Sequence, residues 1–203
     1  MVEPYLRQSA LAHRGLQRAA AEAPARTGIT LSERPFRAML NLRGDPADAG
    51  FLSAVRTAAG VELPVEPNTT RRAGSLTALW LGPDEWLLTA PAGEERVLVP
   101  AIRAALGDRH AAVVDLTESR TVIAVSGAPA RDLLAKGCTL DLHPRAFKVG
   151  ACAQTGLARA GALLHLLDET PTFEITILRS FADYMWAWLA DAAREYGVAL
   201  RTE

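Results

Sequence analysis

The sequence is poor in cysteine and has no long apolar run. Its two cysteines among 203 residues are too few for a disulfide framework. No apolar stretch approaches the roughly 20 residues that a membrane helix needs, and the N-terminus lacks the apolar core of a secretory signal. The net charge of −1 gives no electrostatic reason to expect nucleic acid as a partner. We therefore expect a cytoplasmic protein whose thiols stay reduced.

Common catalytic and nucleotide-binding motifs are also missing. There is no G-x-G-x-x-G, no Walker loop, no H-E-x-x-H and no G-x-S-x-G. The segment richest in reactive side chains is "KGCTLDLHPRAFKVGACAQT", which contains Cys138, Asp141, His143 and Cys152. No C-x-x-C pair or second cluster completes a zinc site there. A metal site or a Cys–His nucleophile stays an alternative, but a buried Cys138 and a polar loop are the favoured interpretation.

The strongest structural signal is an internal repeat. "LNLRGDPADAGFLSAV" (40–55) and "IAVSGAPARDLLAKG" (123–137) each predict a strand, then Gly-x-Pro-Ala, then a helix. In both halves a Pro-containing loop, a β-hairpin and a closing helix follow. Two βαββα-like pseudo-repeats predict an α+β fold with mainly antiparallel sheets. We expect an N-terminal arm at residues 1–30 and one compact unit at residues 31–203. Within this unit, the two repeats are expected at about 36–108 and 111–197.

Local signals predict where the elements begin. Asp45 is expected to cap the first helix, with Pro46 as its first helical residue. "LTALWLGPDEWLLTAP" (76–91) predicts two strands around a turn. Further strands are predicted at 113–116, 120–125, 162–167 and 173–179.

The last helix is predicted from its cap and its apolar stripe. Ser180 is the expected cap, with Asp183 at capping-box spacing. This pattern leaves Trp186 away from the core. The predicted core stripe consists of Phe181, Tyr184, Met185, Trp188, Leu189 and Ala192.

Five longer segments carry a family resemblance. They are "NLRGDPADAGFLSAV", "LPVEPNTT", "LWLGPDEWLL", "VSGAPARDLLAKGCTLDLHPRAFKVGACAQT" and "RSFADYMWAWLADAAREYG". Together they resemble the gamma subunit of heterotetrameric sarcosine oxidase, over nearly all of residues 31–197. The resemblance implies a bacterial enzyme that oxidatively demethylates sarcosine to glycine and hydrogen peroxide, and forms methylenetetrahydrofolate when tetrahydrofolate is present.

The same resemblance implies where the cofactors of that enzyme lie. The alpha subunit is expected to hold NAD and folate. The beta subunit is expected to hold FAD and to attach FMN covalently, and the delta subunit to hold zinc. No cofactor or metal is expected in the gamma subunit. Its implied fold is similar to that of the folate-binding aminomethyltransferase of the glycine-cleavage system, the T-protein.

Asp115 lies at the position of a catalytic aspartate in the T-protein. The segment "VVDLTESRTVIAVSG" (113–127) carries this likeness, but Thr117-Glu118-Ser119 stands where the T-protein has Ser-His-Met. A hydrogen bond within the loop is therefore the favoured role of Asp115. A retained folate-site acid is the alternative.

These observations lead us to expect a non-catalytic structural subunit of sarcosine oxidase. Its expected partners are the alpha, beta and delta subunits, with alpha as the main contact. Trp186 is the first candidate for an interface residue, and Trp80 and Trp86 beside the predicted turn are weaker ones. The alternative is a stand-alone tetrahydrofolate-dependent aminomethyl or one-carbon transferase, or a folate-binding module.

Overall fold

A computed structural model describes residues 7–16 and 27–202 of the chain. The strands are β1 (Ile29–Arg34), β2 (Ala38–Arg43), β3 (Thr70–Ala73), β4 (Leu76–Gly82), β5 (Glu85–Ala90), β6 (Ala112–Asp115), β7 (Arg120–Ser126), β8 (Cys152–Leu157), β9 (Ala160–Asp168), β10 (Thr172–Leu178) and β11 (Val198–Thr202). The helices are α1 (Ala49–Ala59), α2 (Glu95–Leu106), α3 (Ala130–Ala135) and α4 (Ala182–Ala192). Among the described residues, no helix is long and apolar enough to span a membrane.

The strands form two sheets, and each half of the chain supplies most of the strands of one sheet. The first-half sheet has the order β3-β4-β5-β2-β6, and the second-half sheet has the order β8-β9-β10-β7-β1-β11. Neighbouring strands are antiparallel, except that β11 runs parallel to β1. The predicted α+β class and the two pseudo-repeats are thereby confirmed.

Each sheet has helices on one face and the other sheet on its second face. Helices α1 and α2 share a core with the first-half sheet, through residues such as Val55, Ile102 and Trp86. Helices α3 and α4 do the same with the second-half sheet. Between the sheets lies a smaller cluster made of Met39, Leu79, Leu87, Val122, Cys152 and Leu163. Both faces of these strands are therefore buried along part of their length.

The first helix begins one turn later than the sequence predicts. The Oδ1 atom of Asp48 accepts a hydrogen bond from the Gly50 N–H at 2.7 Å, so Asp48 is the N-cap of α1. The Oδ1 atom of Asp45 instead accepts one from the Ala47 N–H at 2.8 Å. The prediction that Asp45 caps the helix is wrong, because its carboxylate closes a turn ahead of the helix.

The last helix has no side-chain cap. A short 3-10 turn (Arg179–Phe181) precedes α4, and Phe181 occupies the N-cap position without a capping bond. The predicted Ser180 cap is therefore wrong. Asp183 binds the N-terminal segment instead, at 2.6 Å from Arg14 Nε and 2.8 Å from His13 Nε2.

The core face of α4 also differs from the prediction. Its buried residues are Ala182, Met185, Trp186 and Leu189. Phe181 and Tyr184, predicted to be in the core, are 40% and 38% exposed. The helix carries large apolar residues on both faces, so its periodicity alone could not select the buried one.

The N-terminal region is described only in part. Residues 1–6 and 17–26 of the predicted arm lie outside the described residues. Leu11 is fully buried in the core of the second half, and β1 begins at Ile29, just ahead of the predicted boundary. The division of the chain at residue 30 stays a prediction.

Candidate functional site

The two cysteines are buried and engaged within the chain. Cys138 is 8% exposed and follows α3, where its N–H donates to Leu134 O at 2.9 Å. Cys152 is fully buried, and its thiol lies 3.4 Å from the carbonyl oxygens of Thr69 and Trp80. Burial raises the pKa of Cys152 to about 12. It therefore stays a thiol at neutral pH, whereas nucleophiles and metal ligands need the thiolate.

Asp141 and His143 shape the loop that carries them. Asp141 Oδ1 accepts a hydrogen bond from the His143 N–H at 2.9 Å, and His143 Nδ1 accepts one from the Arg145 N–H at 3.2 Å. Both side chains point their acceptors at the loop's own backbone. Within residues 7–16 and 27–202, no group of three or more His, Cys, Asp or Glu residues is arranged to hold a metal ion.

The centre of this loop is tied to the core by Arg131. Its guanidinium donates to the Phe147 carbonyl oxygen at 3.0 Å and also to that of Leu142. The side chains of Leu142 and Phe147 are 4% and 6% exposed. The Phe147 ring packs 6.0 Å from that of Phe173 on β10. The segment that looks richest in chemistry is thus a core-filling loop held by partly buried hydrogen bonds.

Asp115 lies at the end of β6 with an exposed side chain. Its Oδ1 accepts a hydrogen bond from the Thr117 N–H at 2.9 Å. The Thr117 hydroxyl oxygen in turn accepts one from the Met39 N–H at 3.1 Å. A loop hydrogen bond, the favoured interpretation, is therefore present. A role of Asp115 in binding folate stays a prediction.

Two of the three predicted interface tryptophans belong to the core. Trp86 is fully buried, and its indole N–H donates to Pro64 O at 2.7 Å. Trp186 is 3% exposed, so the prediction that it lies away from the core is wrong. A partner cannot pack against a side chain that the chain itself covers. Trp80 is partly exposed, and its contact with a partner stays a prediction.

A buried charge cluster lies on the inner face of the second-half sheet, which the first-half sheet covers. On β10, Glu174 alternates with core residues, a pattern that is typical of a half-buried strand. Its Oε1 accepts a hydrogen bond from Arg34 Nη1 at 2.5 Å and lies 3.4 Å from Arg37 Nη2. His165 Nδ1 lies 3.6 Å from Glu174 Oε2, too far for a hydrogen bond. Sheet-on-sheet packing, which the alternation cannot reveal, is why sequence reasoning missed this cluster.

The cluster holds Glu174 as a carboxylate. Burial opposes its ionisation, but His165 and the two arginines outweigh that effect and lower the pKa of Glu174 to about 2. The glutamate side chain is 13% exposed. A charge this deep is stabilised only by its partners, so the cluster ties β1, β9 and β10 together.

Two open clefts lie outside the core. The first, here called the arginine cleft, has a volume of about 600 Å³ and is lined by residues including Arg7, Arg34, Phe36, Arg37 and Arg201. The second measures about 790 Å³ and lies beside the start of α1. Two acids of the second cleft face its own arginines, with Asp84 at 2.9 Å from Arg43 and Asp48 at 3.7 Å from Arg109.

This two-sheet arrangement recurs in a known class of enzyme. The chain superimposes on the glycine cleavage system aminomethyltransferase T from Bartonella henselae with a TM-score of 0.63. The match covers 92% of this chain and 50% of that one, at 16% sequence identity. Identity this low shows the fold alone, and the chain thus has the aminomethyltransferase fold that the resemblance implied.

Closer relatives define the family. The model of the sarcosine oxidase gamma subunit family matches residues 43–195. The sarcosine oxidase gamma subunit of Corynebacterium sp. (strain U-96) is 37% identical over 195 residues, which cover 96% of this chain and 93% of that one. The gamma subunit from Arthrobacter sp. is 36% identical, over 94% of this chain and 92% of that one. The chain belongs to the sarcosine oxidase gamma subunit family.

A solved structure agrees with this assignment. The chain superimposes on one chain of the heterotetrameric sarcosine oxidase from Corynebacterium sp. U-96, in complex with pyrrole 2-carboxylate, with a TM-score of 0.85. The match covers 94% of this chain and 96% of that one, at 36% sequence identity.

Proposed function

We propose that this chain is a non-catalytic structural subunit of a heterotetrameric sarcosine oxidase. The observation that carries the proposal is the match, over 94% of its length, to a chain of the Corynebacterium heterotetramer. The proposed assembly oxidatively demethylates sarcosine to glycine and hydrogen peroxide, and forms methylenetetrahydrofolate from tetrahydrofolate. The chain contributes to it by binding other subunits.

The engagement of the reactive side chains supports a structural role. Cys152 is a buried thiol of raised pKa, and His143 and Asp141 hold their own loop. Asp115 accepts a hydrogen bond from the next turn. Each group has a structural partner inside the chain, which explains its presence without a reaction.

The cofactors of the assembly are proposed to lie in the partner chains. These are FAD and FMN with the beta subunit, NAD and folate in alpha, and zinc in delta. Alpha is proposed as the main contact, because its expected aminomethyltransferase fold is related to the fold of this chain. The assembly is proposed to act in the cytoplasm, in sarcosine catabolism and one-carbon metabolism.

Omitting this chain from the assembly tests the proposal. The other three subunits would be co-expressed with and without it, and the mass and sarcosine turnover of the purified complex measured. We expect a stable tetramer with it. Without it, we expect the other three subunits to dissociate or to show low turnover. A complex of the other three subunits that is as long-lived and as active as the tetramer would contradict a structural role.

The second candidate function is a tetrahydrofolate-dependent one-carbon transferase or folate-binding module. The aminomethyltransferase fold and the exposed carboxylate of Asp115 favour it. Calorimetric titration of the full chain with tetrahydrofolate tests it, with Asp115→Asn as the matched variant. Under the structural proposal no stoichiometric binding is expected. Tight binding that is lost in Asp115→Asn would favour the second function instead.

A further inference from the structure

We propose that the arginine cleft docks an acidic side chain of a partner subunit. This inference rests on the proposed function, because it requires that the chain has partner subunits. The cleft is formed by the N-terminal segment, the turn between β1 and β2, and β11. Its described lining includes four arginines and a single acid, Glu33. Glu33 is 7% exposed and already accepts hydrogen bonds from the Leu11 N–H and the Thr121 hydroxyl, both at 3.3 Å.

Arg7 lines the cleft with a guanidinium that is only partly compensated within the chain. Its Nε lies 2.6 Å from Glu118 Oε1, which makes an ion pair. The Nη2 group is buried and has no hydrogen-bond partner among the described residues. A buried donor without an acceptor costs about 1–3 kcal/mol. Arg7 adds positive charge to the wall of the cleft, and Glu118 compensates part of it.

Arg37 and Arg201 add charge that the chain compensates weakly or not at all. Arg37 lies 3.4 Å from Glu174, whose carboxylate already binds Arg34 more closely. The exposed Arg201 side chain makes no ion pair or hydrogen bond with the described residues. The planar guanidinium of arginine matches a carboxylate in a two-point contact. The cleft therefore favours a carboxylate over a neutral or cationic group.

Phe36 gives the cleft a fixed wall. Its φ of +62° is a conformation that bulky residues rarely adopt, and such strain persists where the surroundings impose it. The guanidinium of Arg7 lies 4.7 Å from the centre of its ring. This contact holds the ring and the arginine as a unit. Arginine and aromatic side chains are the residue types that contribute most to protein interfaces.

A partner subunit is the source of the carboxylate that these observations favour. The cleft is open and broad, so a free small acid would touch only part of its lining, whereas a side chain presented by a docked surface would be held by the rest of the interface. Complementary charge at such a contact adds to its stability and to its sensitivity to salt.

Charge reversal at Arg201 tests the proposal in the assembled enzyme. The four subunits are co-expressed with Arg201→Glu in this chain, and the complex is captured through a tag on another subunit. Retention of this chain is then measured as NaCl is raised. Arg71→Glu is the matched control, because Arg71 is also an exposed arginine on an edge strand but lies outside the cleft. Circular dichroism checks that each variant chain is folded.

We expect Arg201→Glu to weaken retention about tenfold or more and to move its loss to lower salt. Arg201→Lys should retain most of the binding, and Arg71→Glu should resemble the wild type. Addition of Arg37→Gln to Arg201→Glu should weaken binding further. Equal salt resistance of Arg201→Glu, Arg71→Glu and the wild type would overturn the proposal while leaving the structural role intact.

A free acid in the cleft would give a different result. Citrate is the probe, and thermal unfolding of the full chain is the readout. If citrate raises the melting temperature of the wild type but not of Arg201→Glu, and retention in the complex is unchanged, the cleft is a small-anion site and the docking proposal is wrong. If the other three subunits form a stable and fully active complex without this chain, the proposed function itself fails.

Discussion

The two halves of the chain share one strand order and differ by one inserted strand. The first-half order β3-β4-β5-β2-β6 corresponds to β8-β9-β10-β7-β11, but β1 lies between β7 and β11. In the first half, β2 pairs directly with β6. In the second, β7 pairs with β1, and β1 pairs with β11. The repeat therefore preserves the order of the elements, while the start of the chain completes the second sheet.

The loops after α1 and α3 show a second difference. In the first half, one indole donor, Trp86 Nε1, binds the Pro64 carbonyl oxygen. In the second half, the Arg131 guanidinium binds two carbonyl oxygens, of Leu142 and Phe147. Each loop places apolar side chains in its core, and the longer loop needs the stronger donor. Cys138 and His143 belong to this longer loop, whereas the loop after α1 contains no Cys or His.

The equivalent glycines of the two halves should differ most in their tolerance of a side chain. A Cβ on Gly127 would lie 2.0 Å from the Gly28 carbonyl oxygen, and its φ is +134°. A Cβ on Gly44 would lie 2.3 Å from the Phe51 ring. We expect Gly127→Ala to cost about 4 kcal/mol and Gly44→Ala about 2 kcal/mol of unfolding free energy, because a ring can shift more readily than paired backbone.

Urea unfolding of the two alanine variants measures this difference. Gly156→Ala is a suitable control, because a Cβ there would meet no atom within 4 Å and its φ is not positive. Equal losses at Gly127 and Gly44 would show that the two halves use their glycines in the same way.

Much of the fold could be predicted because the repeat and the hairpin signals are local. The hairpin at 76–91 and the strands near 113–125 and 162–179 appear close to their predicted bounds. The insertion of β1 could not be predicted, since it depends on pairing between strands far apart in sequence. The caps of α1 and α4 failed for a related reason. Aspartate and serine stabilise turns and caps alike, so composition does not distinguish them.

Less of the candidate site could be predicted, because its parts meet only in three dimensions. Arg34, His165 and Glu174 come from three strands that are separated in sequence. The alternating pattern of β10 does not reveal whether solvent or another sheet covers the face of Glu174, and in the folded chain it is the other sheet. Trp186 was predicted to lie away from the core but is buried in it, because both faces of α4 carry large apolar residues and the pattern does not distinguish them.

Neutralising Glu174 should affect the second half more than any charge change affects the first. Glu174→Gln removes a carboxylate charge that Arg34 and Arg37 contact in a largely buried site, so we expect a loss of about 3 kcal/mol at neutral pH. Asp84→Asn is the first-half control, since its ion pair with Arg43 is more than half exposed. Its expected cost is below about 1 kcal/mol. Chemical unfolding at pH 7 gives both values.

The contribution of Glu174 should also depend on pH in a defined direction. Its pKa in the folded chain is about 2, below its ordinary value of 4.5. The stabilisation is therefore complete above about pH 5 and is lost as the pH falls towards 2. The difference in unfolding free energy between wild type and Glu174→Gln should shrink over this window. A constant difference from pH 6 to pH 2.5 would show that the carboxylate charge is not what stabilises the cluster.

The loop-holding donors give a smaller contrast between the halves. Arg131→Met keeps a long apolar side chain but removes both donations to Leu142 and Phe147, and we expect a loss of about 2–3 kcal/mol. Trp86→Phe removes a single donation to Pro64, and we expect a loss of about 1–2 kcal/mol. Hydrogen exchange of the two loops would show whether each variant loosens only its own half. A larger effect of Trp86→Phe would contradict the assignment of the stronger donor to the longer loop.

The smallest expected contrast concerns the helix caps. Asp48→Ala removes the hydrogen bond to the Gly50 N–H at the start of α1, which should cost about 1 kcal/mol. Ser180→Ala in the second half removes no capping bond, since α4 has no side-chain cap. Its effect on unfolding free energy should stay within about 0.5 kcal/mol. If Ser180→Ala cost as much as Asp48→Ala, Ser180 would cap α4 in solution, and the two halves would begin their flanking helices in the same way.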